Sequence, residues 1–485
     1  MNQPAVNIAR PEQLFIGGKW VEPSSAGRID IVNPATEKVI ARVAEAREAD
    51  MDLAVAAARK AFDEGPWPGL TPVERGVYVQ KLAELLGARM GELNRAWTDQ
   101  MGGLASFAPM VVGGGVFQLQ YFSGLAGTYP FETRQPISMG PGTAVIVREP
   151  VGVVVAIAPW NAPFAIMTQK IAPALIAGCT VIMKPSPETP LEAYIIAECA
   201  AAAGFPPGVI NLVPAHREAS DYLVRNPGVD KVSFTGSTLA GRRIASVCAD
   251  RVARCTLELG GKSAAIVLDD FPIEEAAGIL TGTICTMTGQ VCATLSRVIV
   301  SRTRHDALAA AICKAMAQIK VGDPNDPATQ MGPLAMERQL RRVEGYIARG
   351  KQEGAVLACG GGRPKHMEHG YYFEPTLFTN VDNRSTIAQE EIFGPVICLI
   401  PADSEQDAIR IANESIYGLN GAVMTKDKEA AYRVARQIRT GCVGQGGLRM
   451  DFLAPYGGFK QSGIGREGGP ENFHAYTETK TILLD

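Results

Sequence analysis

Gly289-Gln290-Val291-Cys292 sets a cysteine just past a helical stretch, at a glycine-bearing break and not inside an apolar run. A nucleophilic thiol needs access, a lowered thiolate cost and nearby backbone N–H groups, and such a break supplies the first and third. The same spacing also suits an inert cysteine. Leu257-Glu258-Leu259-Gly260-Gly261-Lys262 places a carboxylate between two leucines at the end of a strand, directly before a glycine pair. Burial raises a carboxyl pKa, which fits Glu258 to take a proton from water or a thiol near neutral pH. A surface-pointing glutamate on an alternating strand is the competing reading.

Two further segments sit where strands give way to helices. Pro159-Trp160-Asn161-Ala162-Pro163-Phe164 lies beyond the carboxyl end of an apolar strand, where open α/β sheets bind ligands. The Asn161 amide can donate to an oxyanion there, or serve as a turn residue. Phe234-Thr235-Gly236-Ser237 would set backbone N–H groups at a positive helix terminus against a phosphate. It is not a GxGxxG run, and Ser237 is equally an ordinary N-cap.

The elements that must position these residues follow from periodicity. Short β-branched runs at 151–158, 180–183, 209–212 and 231–234 alternate with helical patterns at 165–177, 190–203, 219–225 and 239–249. That rhythm predicts a doubly wound domain with a parallel sheet. Before it, helices are expected at 52–62 and 72–90, the second with a capping box from Thr71 and Glu74 and proline at its first position. A strand at 143–148 falls outside the rhythm and reads as an arm that pairs elsewhere. A second α/β domain follows Lys262, with strands at 263–268, 297–301 and 396–400, helices at 273–287, 306–320 and 407–413, and a terminal strand at 481–484.

Composition bounds the partners. A chain of 485 residues with 46% hydrophobic and 20% charged residues is an ordinary globular protein of about three structural parts. A net charge of -3 argues against nucleic acid, which calls for a basic stripe. Met1 to Arg10 lacks the features of a secretory leader, and the longest apolar run, 151–158, is too short to span a membrane. The ten cysteines are scattered and form no CxxC pair, with Cys179, Cys199, Cys313 and Cys398 inside apolar segments, so reduced buried thiols are expected. His366 and His369 lack further ligands at suitable spacing, and no metal is expected. These features favour a cytoplasmic location.

In order, flanks and spacing, the four segments resemble the NAD(P)-dependent aldehyde dehydrogenase superfamily along almost the whole chain. The resemblance extends to Lys184-Pro185-Ser186-Pro187, to Glu391-Ile392-Phe393-Gly394-Pro395-Val396, and to Pro455-Tyr456-Gly457-Gly458-Phe459-Lys460. It implies two doubly wound α/β domains plus a β-strand oligomerisation arm: a cofactor-binding domain from 1–127 and 151–259, a catalytic domain at 260–461, and oligomerisation elements at 128–150 and 462–485. It also implies a homodimer or homotetramer.

By the same resemblance, Cys292 is the nucleophile, and Asn161 with the Cys292 N–H forms an oxyanion hole. Glu258 activates the hydrolytic water, and Lys170 with Glu467 forms a proton path. The cofactor, NAD or NADP, is held through Trp160, Lys184, Ser186, Gly236, Ser237, Glu391 and Phe393. Many NAD-preferring members carry a glutamate where this chain has Pro187, so the resemblance leaves NADP open. Ala162 and Thr286 stand where familiar members place aromatics, implying a wide tunnel. Ile166, Val291, Met450 and Tyr456 make its walls apolar, which favours a bulky or medium-chain hydrophobic aldehyde. Arg449 could instead greet the carboxylate of a semialdehyde. A CoA-acylating relative is the other alternative, opposed by Glu258, because members that use CoA generally lack that carboxylate.

Overall fold

Valine and isoleucine dominate the strand Val153–Ile157, and every one of its side chains is buried. Burial on both faces is what a parallel sheet covered by crossover helices requires. Alternate residues enter different cores: Val154 and Ala156 join one cluster, Val153, Val155 and Ile157 another. A computed structural model describes residue 6 and residues 8–485; residues 1–5 and Asn7, within the stretch read as leaderless, lie outside the described residues.

Val153–Ile157 pairs in parallel with Thr180–Lys184 on one side and Lys231–Thr235 on the other. Ile210–Leu212 extends the first side and Arg254–Glu258 the second. The chain thus winds outward, returns, and winds the other way. This leaves a crevice between the carboxyl ends of Val153–Ile157 and Lys231–Thr235, the place where such sheets bind ligands. Antiparallel strands close both edges, Leu14–Ile16 with Lys19–Val21 at one and Gly463–Ile464 at the other.

The second sheet orders Val356–Cys359, Thr376–Thr379, Val396–Ala402, Arg297–Ser301, Ala264–Val267, Asn420–Met424 and Cys442–Gln445, parallel except at its first pair. Two cores again flank it. Both domains are therefore doubly wound, as the alternation of patterns indicates. Thr143–Pro150 leaves this rhythm and pairs antiparallel with Glu132–Pro136 and Thr477–Leu484.

Boundaries shift where local geometry overrides periodicity. The helix expected at 72–90 runs Pro72–Ala88 and breaks at Arg89, its capping box formed between Thr71 and Glu74, and a further helix absent from the sequence reading, Met90–Met101, follows. A helix at Ala108–Leu125 escapes the sequence reading because Gly113, Gly114 and Gly115 lower its intrinsic preference. Tertiary packing supplies the reason for Gly115: a Cβ there would lie 2.6 Å from the Phe164 ring, so the glycine admits helix Pro163–Ala177 at close range. Cys313 is half-buried, not buried as its apolar surroundings suggest, while Cys179, Cys199 and Cys398 are buried as expected. Among the described residues no helix is long and apolar enough to cross a membrane.

Candidate active site

The cysteine loop is held by backbone that few residues adopt. Helix Ile273–Cys285 stops two residues short of the expected end because Met287 (φ 50) and Thr288 (φ 57) turn left-handed, followed by Gly289 (φ 71). A Cβ on Gly289 would lie 2.2 Å from the Gly394 carbonyl, so only glycine fits. The Thr288 hydroxyl donates to the Gly332 carbonyl at 2.9 Å. Gln290 is wholly buried and pins the loop twice, donating to the Met287 carbonyl (3.0 Å) and accepting from the Ala335 N–H (2.9 Å). Non-glycine left-handed residues cost about 1–3 kcal/mol each and persist where surroundings over-determine them, as these hydrogen bonds do.

Cys292 follows, half-buried, with Sγ 4.0 Å from the Tyr456 hydroxyl. Burial pushes its thiol up to about 12, assisted by the carboxylates of Glu391 and Glu258 and opposed by the Tyr456 hydroxyl and the Ala293 N–H. The resting thiol is protonated. Chemistry therefore needs a base or a nearby positive charge.

Glu258 ends strand Arg254–Glu258 and is 4% exposed, so the surface reading fails. Leu257 packs into one core, which turns Glu258 to the opposite face. Among the described residues neither carboxylate oxygen has a hydrogen-bond partner. Burial, with Glu467 adding repulsion, holds its carboxyl well above the usual range; Lys170 and Arg466 act against this. The carboxylate fits because Gly457 lacks a Cβ, which would lie 2.6 Å from Oε1. Lys170 and Glu467 form a buried pair, Nζ to Oε1 at 2.6 Å. Glu467 is also tied to Tyr456 by reciprocal backbone hydrogen bonds of 2.6 and 2.7 Å.

Asn161 is 6% exposed and joins the two domains. Its carbonyl accepts from the Trp97 indole at 3.0 Å, and its amide donates to the Gln290 carbonyl at 2.9 Å. One amide hydrogen is thus committed to the cysteine loop, leaving the other for a ligand.

Trp160, Lys184, Gly236 and Ser237 gather at the carboxyl ends of the first sheet's strands. Gly236 N–H donates to the Glu258 carbonyl at 3.0 Å. Ser237 is an N-cap, accepting from Ala240 N–H at 3.3 Å and opening the 13-residue helix Thr238–Asp250 at the crevice. Lys184 closes its strand, and burial lowers its ammonium to about 8 with Glu188 opposing. Glu391 and Phe393 come from the second domain. Phe393 meets Trp160 edge to face at 5.2 Å. The Glu391 carboxylate accepts from Gly261 N–H at 3.0 Å, and burial raises it to about 7. The glycine pair makes this possible, since a Cβ on Gly260 would lie 2.6 Å from Glu391 Oε2 and one on Gly261 2.3 Å from the Cys292 carbonyl.

The pocket residues divide. Ala162 caps helix Pro163–Ala177, its carbonyl accepting from Ile166 N–H at 3.0 Å, and Val291 adjoins Cys292, half-buried. Thr286 turns its hydroxyl to the Gly282 carbonyl at 2.9 Å. Met450 is 49% exposed, on the same outer loop as exposed Phe452 and Leu453. Phe452 approaches helix Ala108–Leu125 at Gly114, 3.7 Å from where a Cβ would stand, so the helix hidden by its glycines borders this loop. The sequence reading also passes over Glu188. Its carboxylate takes the Ser186 hydroxyl and pairs with Arg338 at 2.6 Å, standing one residue beyond the glutamate absent at Pro187.

The chain matches the Aldehyde dehydrogenase family over residues 20–482. It is 44% identical to the geranial dehydrogenase of Castellaniella defragrans, over 98% of each chain. It superposes on a Mycobacterium tuberculosis aldehyde dehydrogenase complexed with NAD+ with a TM-score of 0.96, at 44% identity over 99% of each chain. A cysteine-to-alanine mutant of aldehyde dehydrogenase C from Pseudomonas syringae, complexed with NAD+ and octanal, gives 0.95 at 41% identity, over 99% of this chain and 98% of that one. With a buried carboxylate, a loop-borne thiol and a side-chain amide converging between two doubly wound domains, this chain belongs to the aldehyde dehydrogenase family.

Proposed function

We propose that the chain oxidises a bulky or medium-chain hydrophobic aldehyde to its carboxylic acid through a Cys292 thiohemiacetal and thioester. The observation that carries this reading is Glu258, buried, raised in pKa and without a hydrogen-bond partner among the described residues, in electrostatic contact with the Cys292 thiol. Glu258 removes the proton as Cys292 Sγ bonds to the carbonyl carbon. The free amide hydrogen of Asn161 and the Cys292 N–H hold the resulting oxyanion. The thiol proton passes from Glu258 to the Lys170–Glu467 pair, which frees the base; once the thiohemiacetal has been oxidised to the thioester, water replaces sulfur at the acyl carbon, its proton going to Glu258.

The residues fit a nicotinamide dinucleotide, which when bound supplies the hydride acceptor. The N-terminus of helix Thr238–Asp250 faces the switch-point crevice for a pyrophosphate, Lys184 and Ser186 bind the adenosine ribose, and Glu391, with Trp160 and Phe393 beside it, binds the nicotinamide ribose. The Glu188 carboxylate beside Ser186 disfavours an added phosphate there, and NAD+ is the preferred coenzyme. The solved relatives named above carry NAD+.

Small Ala162, half-buried Ile166 and Val291, and the apolar outer loop at Met450 and Phe452 support the substrate class, as do relatives named for geranial and solved with octanal. Arg449 is exposed on that loop, and its carbonyl accepts from Asn420 and Cys442. Ten free cysteines suit a reducing cytoplasm. The free edge of Thr477–Leu484, with Ile482, Leu483 and Leu484 exposed, suits pairing with a second copy in a dimer or tetramer. Turnover of octanal, an aromatic aldehyde and succinic semialdehyde with both coenzymes tests the reading: kcat/KM is expected to be highest for octanal or the aromatic aldehyde with NAD+. A clear preference for succinic semialdehyde would overturn the substrate class. A rate gain on adding CoA would overturn the hydrolytic step.

A further inference from the structure

We infer that Ser233 is a positioning residue for hydrolysis of the acyl group, fixing the Lys170–Glu467 pair against Glu258. The inference rests on the reading of Glu258 as the base. Val232 and Phe234 enter one core, so Lys231, Ser233 and Thr235 share the opposite face of their strand. Thr256 and Glu258 share that face on the next strand, Ser233 in register with Thr256 and Thr235 with Glu258. A polar seam therefore runs down the sheet from Glu258 beneath helix Pro163–Ala177. Burying such groups is costly unless each is hydrogen-bonded.

Ser233 is the junction of this seam and is fully buried. A hydroxyl has one hydrogen to give and two lone pairs to offer, and all three are used. It accepts from Lys170 Nζ at 3.4 Å and from the Tyr476 hydroxyl at 3.1 Å, and donates to Glu467 Oε1 at 3.3 Å. Glu467 Oε1 thus accepts from Lys170 and Ser233 together, which holds its charge in one place. That placement matters because Glu467 and Lys170 act on Glu258 in opposite directions. The other groups facing Glu258 are Arg466, the Cys292 thiol and the Tyr456 hydroxyl. Beyond Ser233 the seam continues to Tyr476, which faces Glu467 and Cys179, and to Lys231. The Lys231 ammonium lies 2.7 Å from Thr256 Oγ1 and 5.0 Å from the Tyr476 ring centre, near Cys255 and Cys179.

In the step concerned, water oxygen bonds to the acyl carbon as its proton passes to a Glu258 carboxylate oxygen. The carbon–sulfur bond breaks with its electron pair returning to Cys292, and the carboxylic acid leaves. Ser233→Ala leaves Lys170 one acceptor short, Glu467 one donor short and the Tyr476 hydroxyl without the acceptor it uses, while adding no volume.

The test compares the parent with Ser233→Ala and Tyr476→Phe. Single-turnover formation of reduced nicotinamide, with enzyme in excess, reads the steps up to hydride transfer; kcat, its acidic pH limb and its solvent isotope effect read hydrolysis. Ser233→Ala is expected to lower kcat about tenfold and displace the acidic limb while lowering the single-turnover rate distinctly less, with Tyr476→Phe moving the same way by a smaller amount. Superposable pH profiles and kcat for both variants would overturn the inference, as would equal losses in the single-turnover rate and kcat. Glu258→Gln separates the two levels of argument. If it loses kcat while Ser233→Ala is unchanged, only the role of Ser233 falls; if it turns over like the parent, the reading of the base falls and this inference with it.

Discussion

Replacing Gly261 by alanine adds one methyl group, and the structure says where that methyl must go. Its position lies 2.3 Å from the Cys292 carbonyl oxygen and 3.2 Å from Leu419 Cβ. Ordinary van der Waals contact begins near 3.4 Å, so either the cysteine loop or the end of the Glu258 strand gives way by about 1 Å. Gly261 has no left-handed torsion, which leaves sterics as the sole cause. The cysteine loop is pinned by Gln290 and Thr288, so little of the displacement can be absorbed there without moving sulfur relative to Asn161 and Glu258. A misplacement of 1 Å costs about a hundredfold in rate, or about 2.7 kcal/mol in the barrier. Overpacking adds a stability loss of about 1–3 kcal/mol, read as a lower Tm. Gly260→Ala is the control: its Cβ would meet the movable end of Glu391, 2.6 Å away, so its effect is expected in the coenzyme KM. Single-turnover formation of reduced nicotinamide in folded, coenzyme-binding Gly261→Ala should fall about a hundredfold below the parent. A rate within threefold of the parent would refute the claim that the glycine pair sets the thiol's position.

Asn161→Ala removes the free amide hydrogen as well as the bond to the Gln290 carbonyl. Single-turnover rates should drop about 10²–10³-fold with coenzyme affinity retained. Glu188→Ala removes the carboxylate beside Ser186, and the ratio of kcat/KM for NADP+ to that for NAD+ should rise about tenfold or more, measured with one aldehyde. Glu192 is fully buried, with its carboxyl raised to about 8 by burial, and Gln100 donates to it. The folded chain keeps this proton after the unfolded chain loses it near 4.5. The group's stabilisation is therefore complete below pH 4.5, declines above it and is lost as pH rises through 8. Glu192→Gln should flatten the fall in Tm between pH 4.5 and 8, read by thermal melts.

The alternation of β-branched and amphipathic runs reveals both doubly wound domains because parallel strands are apolar on both faces, leaving turns and glycines to mark their ends. Cys292, Glu258 and Asn161 draw notice as a thiol at a break, a charge between leucines and an amide beyond a strand, yet each also admits an ordinary local reading, and only the family resemblance of the segments in order gives them roles. What the sequence hides is what packing alone decides. Helix Ala108–Leu125 forms despite three glycines because Phe164 packs where a Cβ would be. Met287 and Thr288 adopt left-handed backbone that their residue types disfavour. Pro187 draws attention to a missing carboxylate, while Glu188, next in the chain, swings its own onto Ser186, a side-chain direction no periodicity carries. Ser233 looks like an ordinary strand serine until Lys170, Glu467 and Tyr476, distant in sequence, converge on it.

The paired backbone bonds between Tyr456 and Glu467 make ten intervening residues a closed lariat whose two ends are one object. An engineer who reshapes the proposed tunnel at Tyr456 also tugs on a member of the proposed acid–base chain, so altered taste for aldehydes and altered tolerance of acidity should be inherited together. Diversification at the lariat's exposed tip, Gln461, escapes that coupling and is the freer place for variation, unlike Ile464, which pairs with the Glu258 strand, or Phe459, whose ring holds Arg466.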